Sequence, residues 1–163
     1  MRNWLRFQEE LMRNRIVTCG WAFLVIAAIS TLAVNSTDAH VKLSVEQVLR
    51  NQQAAWNRHD LQGFMAGYWN SPELTFFSGA QRMTGWQAAM DRYVRNYQSE
   101  GKEMGKLEFS NLQIEALSAD SVFVRGAWHL TMSDGKSPHG LFTLVFRKFP
   151  EGWKIVHDHT AAE

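Results

Sequence analysis

The apolar positions of this chain change period as it runs. Residues 16–37 carry no charge and hold a compact apolar block from Trp21 to Ile29. Beyond it, Val45, Val48, Leu49, Gln52 and Trp56 fall on one helical stripe. Ser44 and Gln47 are placed as a capping box, which predicts a first helix from about 45 to 58. Asp60 caps a second helix, where Leu61, Phe64, Met65 and Tyr68 repeat at helical spacing until Asn70, Ser71 and Pro72 stop it. Leu74 to Ser78 is short, aromatic and β-branched, hence a strand, and Arg82 and Met83 pair back briefly after a turn at Gly79. A third helix has a capping box at Thr84 and Gln87, a stripe of Trp86, Ala89, Met90, Tyr93, Val94 and Tyr97, and Gly101 just past its end.

After Gly105 the period becomes that of strands. Leu107 and Phe109 alternate, and Leu112 and Ile114 alternate on the other parity, so a bulge is predicted near Ser110 and Asn111. Val122 to Met132 forms a long strand and Asp134-Gly135 signals a hairpin. Leu141 to Phe149 follows, then a turn at Pro150 to Gly152 and a last strand from Trp153 to Thr160. Helices followed by strands in hairpin order predict an α+β fold. Three helices then cover a curved antiparallel sheet and leave a cone with a hollow at one end.

The leading segment stands outside that fold. Arg2, Arg6, Arg13 and Arg15 precede the apolar block and small residues follow it, the pattern of a secretory signal peptide over residues 1–39. A retained membrane anchor over residues 16–37 is the alternative, since that run is just long enough to span a bilayer. The expected location is therefore periplasmic or secreted, with membrane attachment only if the segment stays uncleaved. The true start is Met1 or Met12. The rest, residues 40–163, is one domain.

Charge and composition exclude several classes. The 163 residues carry 17 basic and 16 acidic side chains, for a net charge of +1. Removing Arg2, Arg6, Arg13 and Arg15 together with Glu9, Glu10 and Asp38 brings the remainder to neutrality. With no basic stripe, nucleic acid is not an expected partner. Cys19 is the single cysteine and lies in the leading segment, so nucleophilic cysteine chemistry is excluded in the mature domain. No Gly-rich phosphate loop and no Gly-x-Ser-x-Gly elbow occur, and no cofactor is predicted.

Certain words in this order carry a resemblance. Ala55-Trp-Asn-Arg-His-Asp60, Phe76-Phe-Ser-Gly79, Thr84-Gly-Trp86 leading to Arg92-Tyr93, and Trp153-Lys-Ile-Val-His-Asp-His-Thr160 resemble the NTF2-like superfamily. Within it they look like the SnoaL-like or DUF4440 group, relatives of the calcium/calmodulin-dependent kinase II association domain. The last word ends in Thr160-Ala161, without the Ser that often follows Thr in the group. The resemblance implies the cone fold, but the superfamily includes isomerases, dehydratases, cyclases, transport factors and oligomerisation domains, so it implies no single reaction.

His157, Asp158 and His159 form the densest polar cluster. On an uninterrupted strand, Trp153, Ile155, His157 and His159 share one face, while Val156, Asp158 and Thr160 share the other. By analogy with the kinase association domain, the face of Thr160 looks into the cavity and takes Asp158 with it. A carboxyl in an apolar cone has a raised pKa and suits acid/base catalysis. Ketosteroid isomerase, of the same fold, uses one Asp as base and keeps another protonated. The alternative for Asp158 is a structural pairing with Arg92 or Arg125.

The candidate catalytic residues are thus Asp158 and His129. The candidate pocket comprises Trp56, Tyr68, Arg92, Tyr93, Arg125, Asp158 and Thr160. Arg125 and His129 line the hollow only if their shared strand face is the concave one, which the pattern leaves open. His157 and His159, with His129 as third ligand, would make a metal site, but no carboxylate completes it, and no metal is predicted. The expected function is an exported small-molecule-binding domain with isomerase- or dehydratase-like acid/base activity on an apolar or amphipathic ligand. The alternatives are a non-catalytic dimerisation or binding module and, more weakly, a metal-dependent hydrolase. A homodimer fits all three, because Phe142, Leu144 and Phe146 or their alternates must lie on the open sheet face and need cover.

Overall fold

In a computed structural model of the chain, the structure describes residues 38–163. The signal-peptide and anchor readings fall almost wholly outside the described residues. The chain divides into Met1–Ala39 and His40–Glu163, and the fold below is that of the second unit. The described residues form α1 (38–57), α2 (Leu61–Met65), β1 (Thr75–Ser78), β2 (Gln81–Thr84), α3 (Trp86–Tyr97), β3 (Lys106–Ser118), β4 (Ser121–Thr131), β5 (His139–Phe149) and β6 (Gly152–Ala162). No helix among the described residues is long and apolar enough to cross a membrane.

The first helix starts earlier than its sequence signal. The Ser44 hydroxyl donates to the His40 carbonyl at 2.9 Å, back along the helix, instead of capping an end. The stripe itself is as expected: Val45, Leu49, Gln52 and Trp56 are buried, and Val41 extends it. This helix also covers the edge strand β3. The Asn57 amide donates to the Leu107 carbonyl at 3.0 Å and accepts from the Leu107 N–H at 2.7 Å. Gln53 accepts from the Phe109 N–H at 2.7 Å. These side chains satisfy backbone groups that a missing neighbouring strand would otherwise have to bond.

Asp60 caps α2, accepting from the Gly63 N–H at 2.7 Å. That helix ends at Met65 and does not reach Tyr68 as the spacing suggested. The chain instead runs alongside β6: Ile155 N–H donates to the Gly67 carbonyl at 3.0 Å and Trp69 N–H donates to the Ile155 carbonyl at 2.9 Å. Tyr68 thereby sits in a one-residue parallel bridge with Ile155. The missing side chain of Gly67 makes room for Gln52 of α1, whose side chain a Cβ there would meet at 2.6 Å.

The cap of α3 also differs from expectation. Gly85, not Thr84, is the N-cap, at φ 95° and ψ 144°, with no side-chain cap bond. The first N–H groups go to the preceding loop: Gly85 to the Leu74 carbonyl at 2.7 Å and Trp86 to the Ser71 carbonyl at 3.0 Å. Gln87, free of any capping role, donates to Asp91 at 2.8 Å. Ala89 is fully buried and Trp86, Met90, Tyr93 and Tyr97 pack on the core, whereas Val94 is exposed.

The six strands form one curved, open sheet in the order β2-β1-β6-β5-β4-β3. Every neighbouring pair is antiparallel except β1 and β6, which run parallel with Phe76 opposite Asp158. The predicted bulge in β3 is present between Ser110 and Gln113, with Asn111 at φ 54°. Two further register shifts were not predicted, one between Ala116 and Ser118 of β3 and one in β6. Phe146 pairs with Ile155 while its neighbour Val145 pairs with His157, so Val156 is the extra residue.

That shift breaks the simple alternation expected for the last strand. Trp153 and Ile155 face the core before it, and Asp158 faces the core after it. His157 and His159 lie on the outer face beside Phe77, with ring centroids at 5.0 and 5.8 Å. The apolar side chains of β5 also sort clearly. Phe142, Leu144 and Phe146 are buried under the helices, and it is the alternate Leu141 that is 60% exposed on the outer face.

Candidate functional site

A cavity of about 170 Å³ lies between the helices and the inner face of the sheet. Its walls are aromatic because three stripes converge there: Trp56 from α1, Phe64 from α2, and Tyr93 and Tyr97 from α3. Trp56 meets Phe64, Tyr93 and Tyr97 edge-on, with centroids 5.0, 5.9 and 4.8 Å apart. The Trp56 indole N–H donates to the Met104 carbonyl at 3.0 Å, so this ring is held at both ends. Phe76 of β1 packs on Tyr93 at 5.6 Å.

Among the described residues Asp158 is the one acidic side chain lining this cavity, and it is 4% exposed. The Tyr68 hydroxyl donates to its Oδ2 at 2.7 Å, and Tyr68 and Tyr93 hydroxyls stand 3.4 Å apart. Burial lifts the Asp158 carboxyl from its ordinary 3.8 to about 7, against the opposing pull of the Tyr68 hydrogen bond and the Arg92 charge. Burial, reinforced by the carboxyl nearby, holds both phenols well above their ordinary range, so they stay protonated. The other carboxyl oxygen, Oδ1, is buried and has no hydrogen-bond partner among the described residues.

The alternative for Asp158, an ion pair with Arg92 or Arg125, does not form among the described residues. Arg92 reaches across from α3 and its Nη2 donates to the Ser78 hydroxyl. Its guanidinium carbon lies 5.8 Å from the Phe76 ring centre, over the ring. The Arg92 Nε is buried without a partner among the described residues, as is the Trp128 indole nitrogen. Both residues line the cavity, and Thr160 lines it two residues beyond Asp158.

Of the residues expected to meet here, Trp56, Tyr68, Arg92, Tyr93, Asp158 and Thr160 do. Arg125 and His129 do not. Val122, Val124 and Leu130 of β4 are buried on the inner face, which turns the odd-numbered Arg125 and His129 outward. Arg125 pairs with Glu115 at 3.3 Å and lies 5.5 Å from the Phe123 ring centre. His129 hydrogen-bonds the Ser137 hydroxyl and faces His139 across the hairpin. Trp128 was missed by the sequence reading. Its parity with Val122, Val124 and Leu130 was the available signal, masked by mixed character on both faces of the strand. Ser78 carried no signal of its own, because its role depends on Arg92 arriving from another element.

The outer histidines do not assemble a metal site. Among the described residues no three His, Cys, Asp or Glu side chains are grouped to hold an ion. His157 Nδ1 lies 2.6 Å from the Thr75 hydroxyl, and burial, with His159 nearby, lowers its pKa.

Comparison with known proteins agrees with this architecture. A crystal structure of an NTF2-like protein of unknown function from Shewanella oneidensis MR-1 is 34% identical, with TM-score 0.68, covering 72% of this chain and 96% of the other. A ketosteroid isomerase-like protein from Erwinia carotovora atroseptica is 19% identical, with TM-score 0.60, covering 74% and 95%. A putative calcium/calmodulin-dependent protein kinase type II association domain from Thiobacillus denitrificans is 22% identical, with TM-score 0.61, covering 72% and 94%. No curated protein matches the chain. Residues 45–162, from the buried stripe of α1 to the end of β6, match the SnoaL-like domain, and with this fold the chain belongs to that family, within the NTF2-like superfamily.

Proposed function

We propose that this chain is an exported small-molecule-binding domain whose cone carries out acid/base chemistry on an apolar or amphipathic ligand. The observation that carries the reading is the state of Asp158. One oxygen is fixed by Tyr68, the other is buried without a hydrogen-bond partner among the described residues, the residue lines the cavity, and burial raises its pKa to about 7. A base near its operating pH combines a usable ionised fraction with a useful affinity for a proton. Acting as base, Asp158 Oδ1 takes a proton from a carbon beside a carbonyl. The C–H electron pair moves into the carbon framework and charge collects on the carbonyl oxygen as an enolate. Return of a proton from Asp158 to the same or a conjugated carbon completes an exchange or an isomerisation, and Tyr68 keeps the carboxyl oriented throughout.

Acetophenone tests this, because one ring and one enolisable methyl suit the cavity. In D2O its methyl hydrogens should exchange above the buffer rate, with a pH profile inflecting near 7. Asp158→Asn should abolish the excess. Exchange at the buffer rate, or an excess that survives the substitution, refutes the acid/base role.

Export rests on the basic lead and apolar block ahead of the domain. A homodimer through the outer sheet face is favoured by the exposure of Leu141 beside the rings of Phe77, His157 and His159 on the same surface. Light scattering should give twice the chain mass, and Leu141→Asp should shift it toward one.

A further inference from the structure

Three buried side-chain atoms lack hydrogen-bond partners among the described residues: Arg92 Nε, Trp128 Nε1 and Asp158 Oδ1. All three belong to residues lining the same cavity. An unpaired buried polar group is costly, so three on residues around one cavity point to a ligand that satisfies them together. Two are donors only, an arginine N–H and an indole N–H, which calls for acceptor oxygens. The arginine is also a permanent cation with no ion pair to a described residue, which calls for negative charge.

Strand register places these groups in sequence along the inner face. Asp158 lies level with Phe76 and Leu144. Ser78, which holds Arg92, lies one inward position further, level with Thr160 and Phe142. Trp128 begins one position beyond that, level with Gly140 and Ala162. Each inward position is two residues, roughly 6.6 Å, so the midpoint of the Arg92 and Trp128 levels lies roughly 10 Å from the Asp158 level. Along the strand direction that span is long enough for one aromatic ring and a carboxylate; across it, Ser78 on β1 and Trp128 on β4 stand three strand spacings apart, roughly 14 Å, a gap that the long Arg92 and Trp128 side chains and the carboxylate must close together. The volume agrees: a cavity of roughly 150 Å³ takes a single benzene ring, and this one measures about 170 Å³. The volume favours one ring over a fused polycycle.

We propose that the cone takes a one-ring organic acid, its carboxylate bound between the Arg92 guanidinium and the Trp128 indole N–H and its ring directed toward Asp158. This rests on the reading of the cone as a ligand pocket and names the class of compound it accepts. Arg92 also gives the pocket a reason to hold the far end of a substrate still while Asp158 works on the near end.

Benzoate, its neutral isostere benzamide, and 2-naphthoate are the probes, with affinities measured by titration calorimetry on the folded chain at pH 6. Benzoate should bind at least tenfold more tightly than benzamide, and 2-naphthoate should bind worse than benzoate. Arg92→Met should erase the preference for benzoate while changing benzamide affinity less than threefold, and Trp128→Phe should weaken benzoate severalfold. Equal binding of benzoate and benzamide, a preference that persists in Arg92→Met, or no binding of benzoate overturns the proposal. If Arg92→Met does not fold, the wild-type ratio and Trp128→Phe decide. Asp158-dependent acetophenone exchange without a benzoate preference removes the carboxylate subsite alone. A benzoate preference without such exchange removes only the acid/base step.

Discussion

The Tyr68 hydroxyl donates to Asp158 Oδ2 at 2.7 Å across 90 residues of sequence. Neither partner is placed by its own local pattern. Tyr68 leaves the helical track and is held by the parallel bridge to Ile155, while Asp158 is turned inward by the extra residue Val156 in β6. Both devices involve the same short piece of β6, so the strand that carries the carboxyl also locates its hydrogen-bond donor. The result is a cavity-lining carboxyl with one oxygen anchored and the other buried without a partner among the described residues.

Asp158 makes the stability of the domain depend on pH in a direction unusual for a carboxylate. Its folded pKa of about 7 lies above the ordinary 3.8, so the native state holds the proton more tightly than the unfolded chain. Stability from this group is complete below about pH 4, declines as pH rises toward 7, and levels off above, a loss of about 4 kcal/mol at most. Tyr68, Tyr93 and Tyr97 stay neutral across this window, while His157, whose pKa burial lowers, acts in the opposite sense and loses stability as pH falls, so the carboxyl's share is the difference between the wild type and Asp158→Asn. Asp158→Asn should match the wild type near pH 4 and exceed it at pH 8 in urea denaturation. Parallel curves at the two pH values would argue that the carboxyl is better hydrated than its burial implies.

Tyr68→Phe removes the hydrogen bond that holds the Asp158 pKa down. The inflection in any Asp158-dependent rate should move to higher pH, and stability should drop by roughly 1–3 kcal/mol. An unchanged inflection would mean that the tyrosine positions a ring and does not tune the acid. NMR titration of the Asp158 carboxyl carbon reads the shift directly.

Gly85 begins α3 at φ 95°, a backbone region that side-chain-bearing residues rarely adopt. Space is not the obstacle, since a Cβ there would meet only Pro72 atoms at 3.6 and 3.7 Å. Gly85→Ala should therefore cost about 1–3 kcal/mol through the backbone alone. Thr84→Ala should cost far less, because Thr84 provides no cap. Thermal unfolding of the two variants separates the roles, and the reverse order would restore Thr84 as the cap.

Arg125 and His129 lie on the outer face of β4. Arg125→Ala and His129→Ala should each leave benzoate affinity and acetophenone exchange within twofold of the wild type. A tenfold loss for either variant would contradict the assignment of faces, which rests on the buried Val122, Val124 and Leu130.

Several features of this protein are local in the chain and could be read from it. The stripes of α1 and α3, the Asp60 cap, the β3 bulge and the hairpin order of β3 to β6 all follow from the spacing of a few neighbouring residues. The resemblance of the Trp153 to Thr160 word placed Asp158 in the cavity, and Trp56 and Tyr93 followed from their helical faces. What tertiary structure alone decided is the assembly of the polar groups. The direction of Asp158 changes with one extra residue in β6, because strand side chains alternate and a single insertion reverses their parity. Tyr68 belongs to the cavity because β6 captures its backbone, Arg92 because Ser78 receives it, and Trp128 because the β4 core residues beside it chose the inner face. Each of these depends on contact between segments far apart in sequence, and period within one segment carries no information about which distant segment it will meet.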